Sequence, residues 1–229
     1  MERLRKIIYR YERKFFVYNN DRSSIEQMVL HHPAFFSQIY QGRYVNNIYF
    51  DYPGFNNLLD NLAGNTDRTK SRIRWYGELF GDIEEPTLEL KIKRGLVGFK
   101  QTFPLKRFQL KEGIGFSEIK ELIRNSELDP QVKVPLRDQL PVMINRYRRT
   151  YYQSSDKHFR LTIDDEQAFY RLHAYNNNFL QVYPDQNNVI IELKYDEQYD
   201  PEAARIVNKL PFRVSKSSKY ARGVELLYA

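Results

Sequence analysis

The chain has 229 residues and no cysteine, long enough to bury a core without disulfide staples, and thiolate metal sites and cysteine nucleophiles are excluded. Lys and Arg outnumber Asp and Glu by 36 to 29, a net charge of +7 that points to an anionic partner. Apolar runs reach only a few residues, well short of the roughly 20 that span a bilayer, and the basic start Met1-Glu2-Arg3-Leu4-Arg5-Lys6 lacks the apolar stretch of a secretory signal.

No repeat, low-complexity tract or Pro/Gly/Ser linker divides the sequence, so one domain over residues 1–229 is expected. In chain order, alternation predicts a strand over Ile7–Val17, then a helix over Ile25–His31 capped by Asp21 or Ser23. A strand over Asn46–Asp51 and a helix over Phe55–Ala63, stopped by Gly64, come next. Strands follow at Arg68–Glu78, Thr87–Arg94 and Val97–Leu105, the last two joined by the turn Arg94-Gly95-Leu96. Helices are expected over Phe116–Asn125 and Gln131–Gln139, then strands over Val142–Gln153, Phe159–Glu166 and Val189–Tyr195. Helices over Pro201–Leu210 and Ser217–Leu227 end the chain, with Gly223 counting against the second. Eight strands with scattered helices, in a chain that is 15% aromatic, favour an α+β fold: an eight-stranded antiparallel β-barrel with peripheral helices and a C-terminal helix.

Side chains two apart on a strand share a face. Leu88, Leu90 and Ile92 therefore face one way and Glu89, Lys91 and Lys93 the other. The same split sets Arg72 and Arg74 against Ile73 and Trp75. It sets Arg160, Thr162 and Asp164 against Leu161 and Ile163, and Glu192 and Lys194 against Ile191 and Leu193. Glu12 and Lys14 form a further pair. On one strand a solvated face is the default explanation. Repeated over five strands, the pattern gives a continuous charged field. If the sheet closes, that field lines a wet tunnel that needs a compensating ligand. A basic wall with interspersed acids suits a polyphosphate-like anion carrying a divalent ion: the cations take the oxygens, and Glu12, Glu89, Asp164 and Glu192 are candidate metal ligands.

Seven stretches occur together: Tyr11-Glu12-Arg13-Lys14-Phe15-Phe16-Val17, Ser71-Arg72-Ile73-Arg74-Trp75-Tyr76-Gly77, Leu88-Glu89-Leu90-Lys91, Asn145-Arg146-Tyr147-Arg148-Arg149-Thr150, Arg160-Leu161-Thr162-Ile163-Asp164, Ile191-Glu192-Leu193-Lys194 and Ser215-Lys216-Ser217-Ser218-Lys219-Tyr220. In that order they resemble the VTC domain, the polyphosphate-polymerase branch of the triphosphate tunnel metalloenzymes, over nearly the whole chain. The resemblance implies an eight-stranded barrel that moves the γ-phosphoryl group of ATP onto a polyphosphate chain with Mn²⁺ or Mg²⁺. It matches Lys14, Arg72, Arg74, Lys91, Lys100, Arg149, Arg160, Lys216 and Lys219 to the family's phosphate-binding cations, Tyr147 to a tunnel tyrosine and Glu192 to the metal-binding glutamate. Lys14, Arg72, Arg74 and Glu192 are the expected catalytic group, and Lys194, on the same strand face as Glu192, joins the substrate-binding cations. Lys216 and Lys219 are expected three apart at a helix start, and Tyr147 and Arg149 on one strand face, with Arg146 and Arg148 pointing away.

The superfamily's Glu-x-Glu-x-Lys signature reads Arg10-Tyr11-Glu12-Arg13-Lys14, without its first Glu, which argues against a CYTH-type triphosphatase. ATP and polyphosphate are the expected partners and nucleic acid is not. The expected location is cytoplasmic, with any membrane association made through a partner protein, as in the family's eukaryotic members. Two rival readings stay open: a triphosphatase of the same fold, and a polyanion-binding module without catalysis. Elsewhere, His31-His32 reads as an exposed helix end, Asn176-Asn177-Asn178 as a loop, and P-loop and dinucleotide-binding glycine motifs are absent.

Overall fold

Alternating apolar and charged residues fold into antiparallel strands, and the short amphipathic segments between them into helices that cover the apolar faces. The computed structural model describes residues 10–18, 21–65, 67–94 and 97–228. The expected turn at Gly95-Leu96 and residues 7–9 of the first expected strand lie outside these.

The strands are β1 (Arg10–Val17), β2 (Ser37–Asp51), β3 (Arg68–Tyr76), β4 (Gly81–Ile83), β5 (Thr87–Arg94), β6 (Val97–Pro104), β7 (Phe108–Leu110), β8 (Leu140–Gln153), β9 (Arg160–Arg171), β10 (Val182–Asp185) and β11 (Val189–Asp196). The helices are α1 (Arg22–Leu30), α2 (Asn56–Leu62), α3 (Phe116–Arg124), α4 (Pro130–Lys133), α5 (Asp200–Val207) and α6 (Lys219–Tyr228). The main sheet runs in the order β1-β11-β9-β8-β2-β3-β5-β6 with β10 on β9, and β4 pairs with β7. This is the expected antiparallel architecture of eight successive neighbours with peripheral helices and a C-terminal helix. Among the described residues no helix is long and apolar enough to cross a membrane.

Two compact units divide the chain. The first holds Met1–Gly42, Arg149–Glu166 and Gln186–Ser217. Its apolar core gathers alternate residues of β1, β9 and β11 (Phe15, Val17, Leu161, Ile163, Ile191, Leu193) under Ile25 and Val29 of α1 and Ala203 and Ile206 of α5. Each fully buried Phe or Leu here contributes about 1.5–3 kcal/mol through area removed from water. α1 begins where Asp21 accepts the Ser24 N–H at 3.1 Å, satisfying one of the orphan donors of a helix start. Arg22 ties the helix to the strands through Asp165 at 2.8 Å and Thr150 at 2.8 Å. His32, expected as an exposed helix end, is buried instead: its ring accepts the Ala34 N–H and bonds the Ile206 carbonyl oxygen.

The second unit holds Arg43–Arg148, Gln167–Asp185 and Ser218–Ala229. One core joins Ile48, Phe50, Ile73, Trp75, Leu88 and Leu90 of the sheet to Ile119 and Ile123 of α3. Another packs α6 through Tyr220, Val224 and Leu227 against Tyr49, Met143 and Phe169. Gly223, a helix-weakening residue by propensity, is what that packing requires. A Cβ there would lie 2.4 Å from the Met143 sulfur and 2.6 Å from the Phe169 ring. Asp51, fully buried, links two helices: it accepts from the Asn57 and Leu58 N–H groups at the start of α2 and from the Tyr220 hydroxyl of α6. α2 ends at Leu62, capped by Ala63 and followed by Gly64 at φ +75°, the stop that the sequence predicted. The expected helix over Gln131–Gln139 is instead α4 followed by a 3-10 turn at Val134–Leu136. Pro135 lacks the N–H that an α-helix would need there.

Candidate functional site

In the second unit the polar face of β3, β5 and β6 is built by register. Lys70 stands opposite Lys91, which stands opposite Lys100, so three ammonium groups share one row. In the next row Arg72 lies opposite Glu89, and in the third Arg74 lies opposite Thr87. Like charges placed directly across a sheet are unfavourable, so this face asks for an anion. Glu89 is the carboxylate that partly answers. It is buried and accepts from Arg72 Nε at 2.8 Å and Nη2 at 2.6 Å, from Lys100 at 2.8 Å, and lies 3.5 Å from Arg74. Burial alone would raise its pKa, but Arg72, Arg74 and Lys100 outweigh that and hold it at about 2.

Neutral groups orient these cations. Arg72 Nη1 donates to the Tyr49 hydroxyl at 3.1 Å. Arg74 donates through Nε to Asn47 Oδ1 at 2.8 Å and through Nη2 to the Tyr147 hydroxyl at 3.2 Å. The Lys219 ammonium sits 4.6 Å from the centre of the Tyr147 ring, a cation–π contact. Lys70 donates to Asn61 of α2 at 2.8 Å and to Ser218, just before α6, at 3.1 Å.

The first unit carries a second cluster, again in rows. Glu12, Lys194 and Arg160 form one row across β1, β11 and β9. Lys14, Glu192 and Thr162 form the next, and Phe16, Ile190 and Asp164 the third. Lys14 bridges Glu12 at 3.0 Å and Glu192 at 3.1 Å. Burial favours its neutral amine, but Glu192 and Glu12 outweigh that and hold its pKa above the ordinary lysine value. Glu192 also accepts from Arg149 at 3.1 Å and Lys194 at 2.7 Å. Asp164 accepts from Arg149 through each of its two oxygens. Two buried carboxylates are thus held by three cations.

The neighbouring residue on β1 faces the other way. Arg13 donates to Tyr195 at 2.7 Å and Asp200 at 2.8 Å beside α5, and Tyr195, raised to about 12 by burial and then by its bond to Asp200, completes that triangle.

Among the sequence-selected residues, Lys14, Arg149, Arg160, Glu12, Asp164, Glu192 and Lys194 lie on the polar face of the first unit's strands. Arg72, Arg74, Lys91, Lys100 and Glu89 lie on that of the second, with Tyr147 and Lys219 beside Arg74. Lys91, Arg160 and Lys216 are exposed, whereas Lys219 is buried. Lys216 and Lys219 do not share a helix turn, because α6 begins at Lys219 and Lys216 lies before it. Asn47, Tyr49 and Lys70 were not singled out. Strand parity held the signal for the first two, since Asn47 and Tyr49 alternate along Asn46–Asp51 with the core residues Ile48 and Phe50. Among the described residues, no three His, Asp or Glu side chains converge closely enough to hold a metal by themselves.

The family model described as the VTC domain matches residues 9–228. A comparison with curated proteins finds no match. Among solved structures, a candidate adenylate cyclase from Vibrio parahaemolyticus is similar at 10% identity and a TM-score of 0.52, over 97% of this chain and 99% of that one. A candidate adenylyl cyclase from Hippeastrum, described as having a dominant triphosphatase activity, is similar at 14% identity and a TM-score of 0.50, over 94% and 96%. At these identities the likeness speaks for the fold.

Proposed function

Because this chain belongs to the VTC domain family, we propose that it is a polyphosphate polymerase that moves the γ-phosphoryl group of ATP onto a polyphosphate chain. One observation carries this reading: the face of β3, β5 and β6 carries Lys70, Arg72, Arg74, Lys91 and Lys100 with one carboxylate among its described residues, Glu89, held by Arg72, Arg74 and Lys100. A triphosphate neutralises such a cluster with oxygens spaced along a chain, and planar guanidinium groups donate to them bidentately.

Without substrate, Glu89, Asp164 and Glu192 occupy the cations that phosphate oxygens would take. Binding is then an exchange of carboxylate for phosphate at these cations, which keeps the cations paired before and after. Chemistry needs no protein nucleophile. A terminal oxygen of the acceptor chain attacks the γ-phosphorus in line, the bond to the β–γ bridging oxygen breaks, and ADP leaves with that oxygen. On the second unit's face Arg72 and Arg74 would position a phosphoryl group and neutralise the charge that builds on it, and on the first unit's face Lys14 offers a phosphate the same kind of contact.

The donor set fits a hard divalent ion. Glu12 and Glu192 meet at one ammonium, and Mg²⁺ or Mn²⁺ is commonly held by one or two carboxylates with substrate phosphates completing its shell. Glu192 and Glu12 would hold it, and it would draw charge from the phosphoryl oxygens.

Hydrolysis of the triphosphate by water is the second reading, favoured by the activity described for the Hippeastrum neighbour. Incubation with ATP and Mn²⁺ followed by gel sizing of the products separates the two. A ladder of long chains with ADP supports polymerisation. Free phosphate with ADP and no chains supports hydrolysis instead.

A further inference from the structure

On the first unit's polar face nearly every polar group has a partner. Glu192 is taken by Lys14, Arg149 and Lys194, and Asp164 by Arg149. Among the described residues of this face, the buried exception is Thr162. Its side chain is buried, at 6% exposure, and its Oγ1 has no hydrogen-bond partner. Register places it directly beside Glu192 in the Lys14–Glu192–Thr162 row, with Arg160 and Asp164 two residues to either side on β9.

A buried hydroxyl without a partner is unfavourable in the empty protein. It would be tolerated where a bound group supplies the missing partner. The acceptors nearest in register are already used, so the hydroxyl is left to act as a donor. Arg160 stands two residues away on the same strand face and Lys14 ends its row, so an anionic oxygen drawn to this face is the acceptor that fits. We propose that Thr162 is a substrate-contacting residue whose hydroxyl donates a hydrogen bond to a phosphoryl oxygen of the bound chain. The inference rests on the reading of this face as a polyphosphate site and adds a neutral donor to its cations.

Valine matches threonine in shape without the hydroxyl, and serine keeps the hydroxyl. Tripolyphosphate binding to the full chain is measured by calorimetry in buffer with a chelator, so that no metal contributes, alongside melting temperatures without ligand. Thr162→Val should weaken tripolyphosphate binding about 10- to 100-fold, the scale of one hydrogen bond to a charged group. Thr162→Ser should bind within about threefold of the parent. Without ligand, Thr162→Val should melt at or above the parent temperature, because removing an unpaired hydroxyl costs the empty fold nothing. Thr162→Val that binds like the parent, or that melts lower or fails to fold while Thr162→Ser is intact, would make the hydroxyl structural and overturn the proposal. A parent chain with no affinity for tripolyphosphate would overturn the polyphosphate reading itself, and the Thr162 inference with it.

Discussion

Arg149 grips both oxygens of Asp164, donating from Nε at 2.5 Å and from Nη2 at 2.6 Å, and the same Nη2 reaches Glu192 at 3.1 Å. All three side chains are buried. One guanidinium therefore neutralises parts of two carboxylates, and removing either acid leaves charge behind in a place where water is scarce.

Asp164→Ala is expected to cost about 3–5 kcal/mol, the scale for leaving one partner of a buried ion pair uncompensated. Urea unfolding of the two proteins measures it. Millimolar tripolyphosphate should return part of that loss, because a phosphate oxygen can replace the missing carboxylate. A cost under 1 kcal/mol would mean that Arg149 is solvated rather than dependent on this pair.

Glu89 predicts a pH dependence. Its folded pKa of about 2 lies below the ordinary carboxylate value, so the stability that it contributes is present above about pH 4.5. That stability is lost as pH falls from there towards 2. A shift of this size corresponds to roughly 3 kcal/mol. Glu89→Gln should be clearly less stable than the parent at pH 6, and the gap should close as the pH approaches 2. Denaturant midpoints at several pH values provide the check. A gap that stays constant with pH would contradict the ion-pair account.

Gly223→Ala sets helix propensity against packing. Alanine gains about 1 kcal/mol in a helix interior, but its Cβ would meet Met143 at 2.4 Å and Phe169 at 2.6 Å. Overpacking of that kind costs about 1–3 kcal/mol, so the expected net result is a lower melting temperature, read by calorimetry or circular dichroism. A stabilised variant would show that α6 moves aside without penalty.

Much of this was legible in the sequence. Alternation over seven or more residues identified β1, β3, β5, β8 and β11, and it put Lys14, Arg72, Glu89 and Glu192 on the polar side. β4, β7 and β10 span only three or four residues, too few for alternation to register. Parity states which face a residue takes, but not which residue stands across from it. The row of Lys70, Lys91 and Lys100 therefore needed the register. So did the partners of Glu89: sequence offered it as a metal ligand, and the register adds Arg72, Arg74 and Lys100 around it. His32 was misjudged because the carbonyl that bonds its ring belongs to Ile206, 174 residues away.

The central claim is that the polar face of the sheet, and not basic charge in general, carries the reaction. Lys14 and Arg13 are adjacent on β1, each one positive charge, with Lys14 beside Glu192 and Arg13 bound to Tyr195 and Asp200 on the helix side. Turnover of ATP into polyphosphate by Lys14→Ala and Arg13→Ala, measured side by side at matched folding, separates the two faces. Lys14→Ala should lose about 10²–10³-fold, the effect of deleting one preorganised charge contact, while Arg13→Ala stays within a few-fold of the parent. Equal losses, or an unaffected Lys14→Ala, would contradict the account.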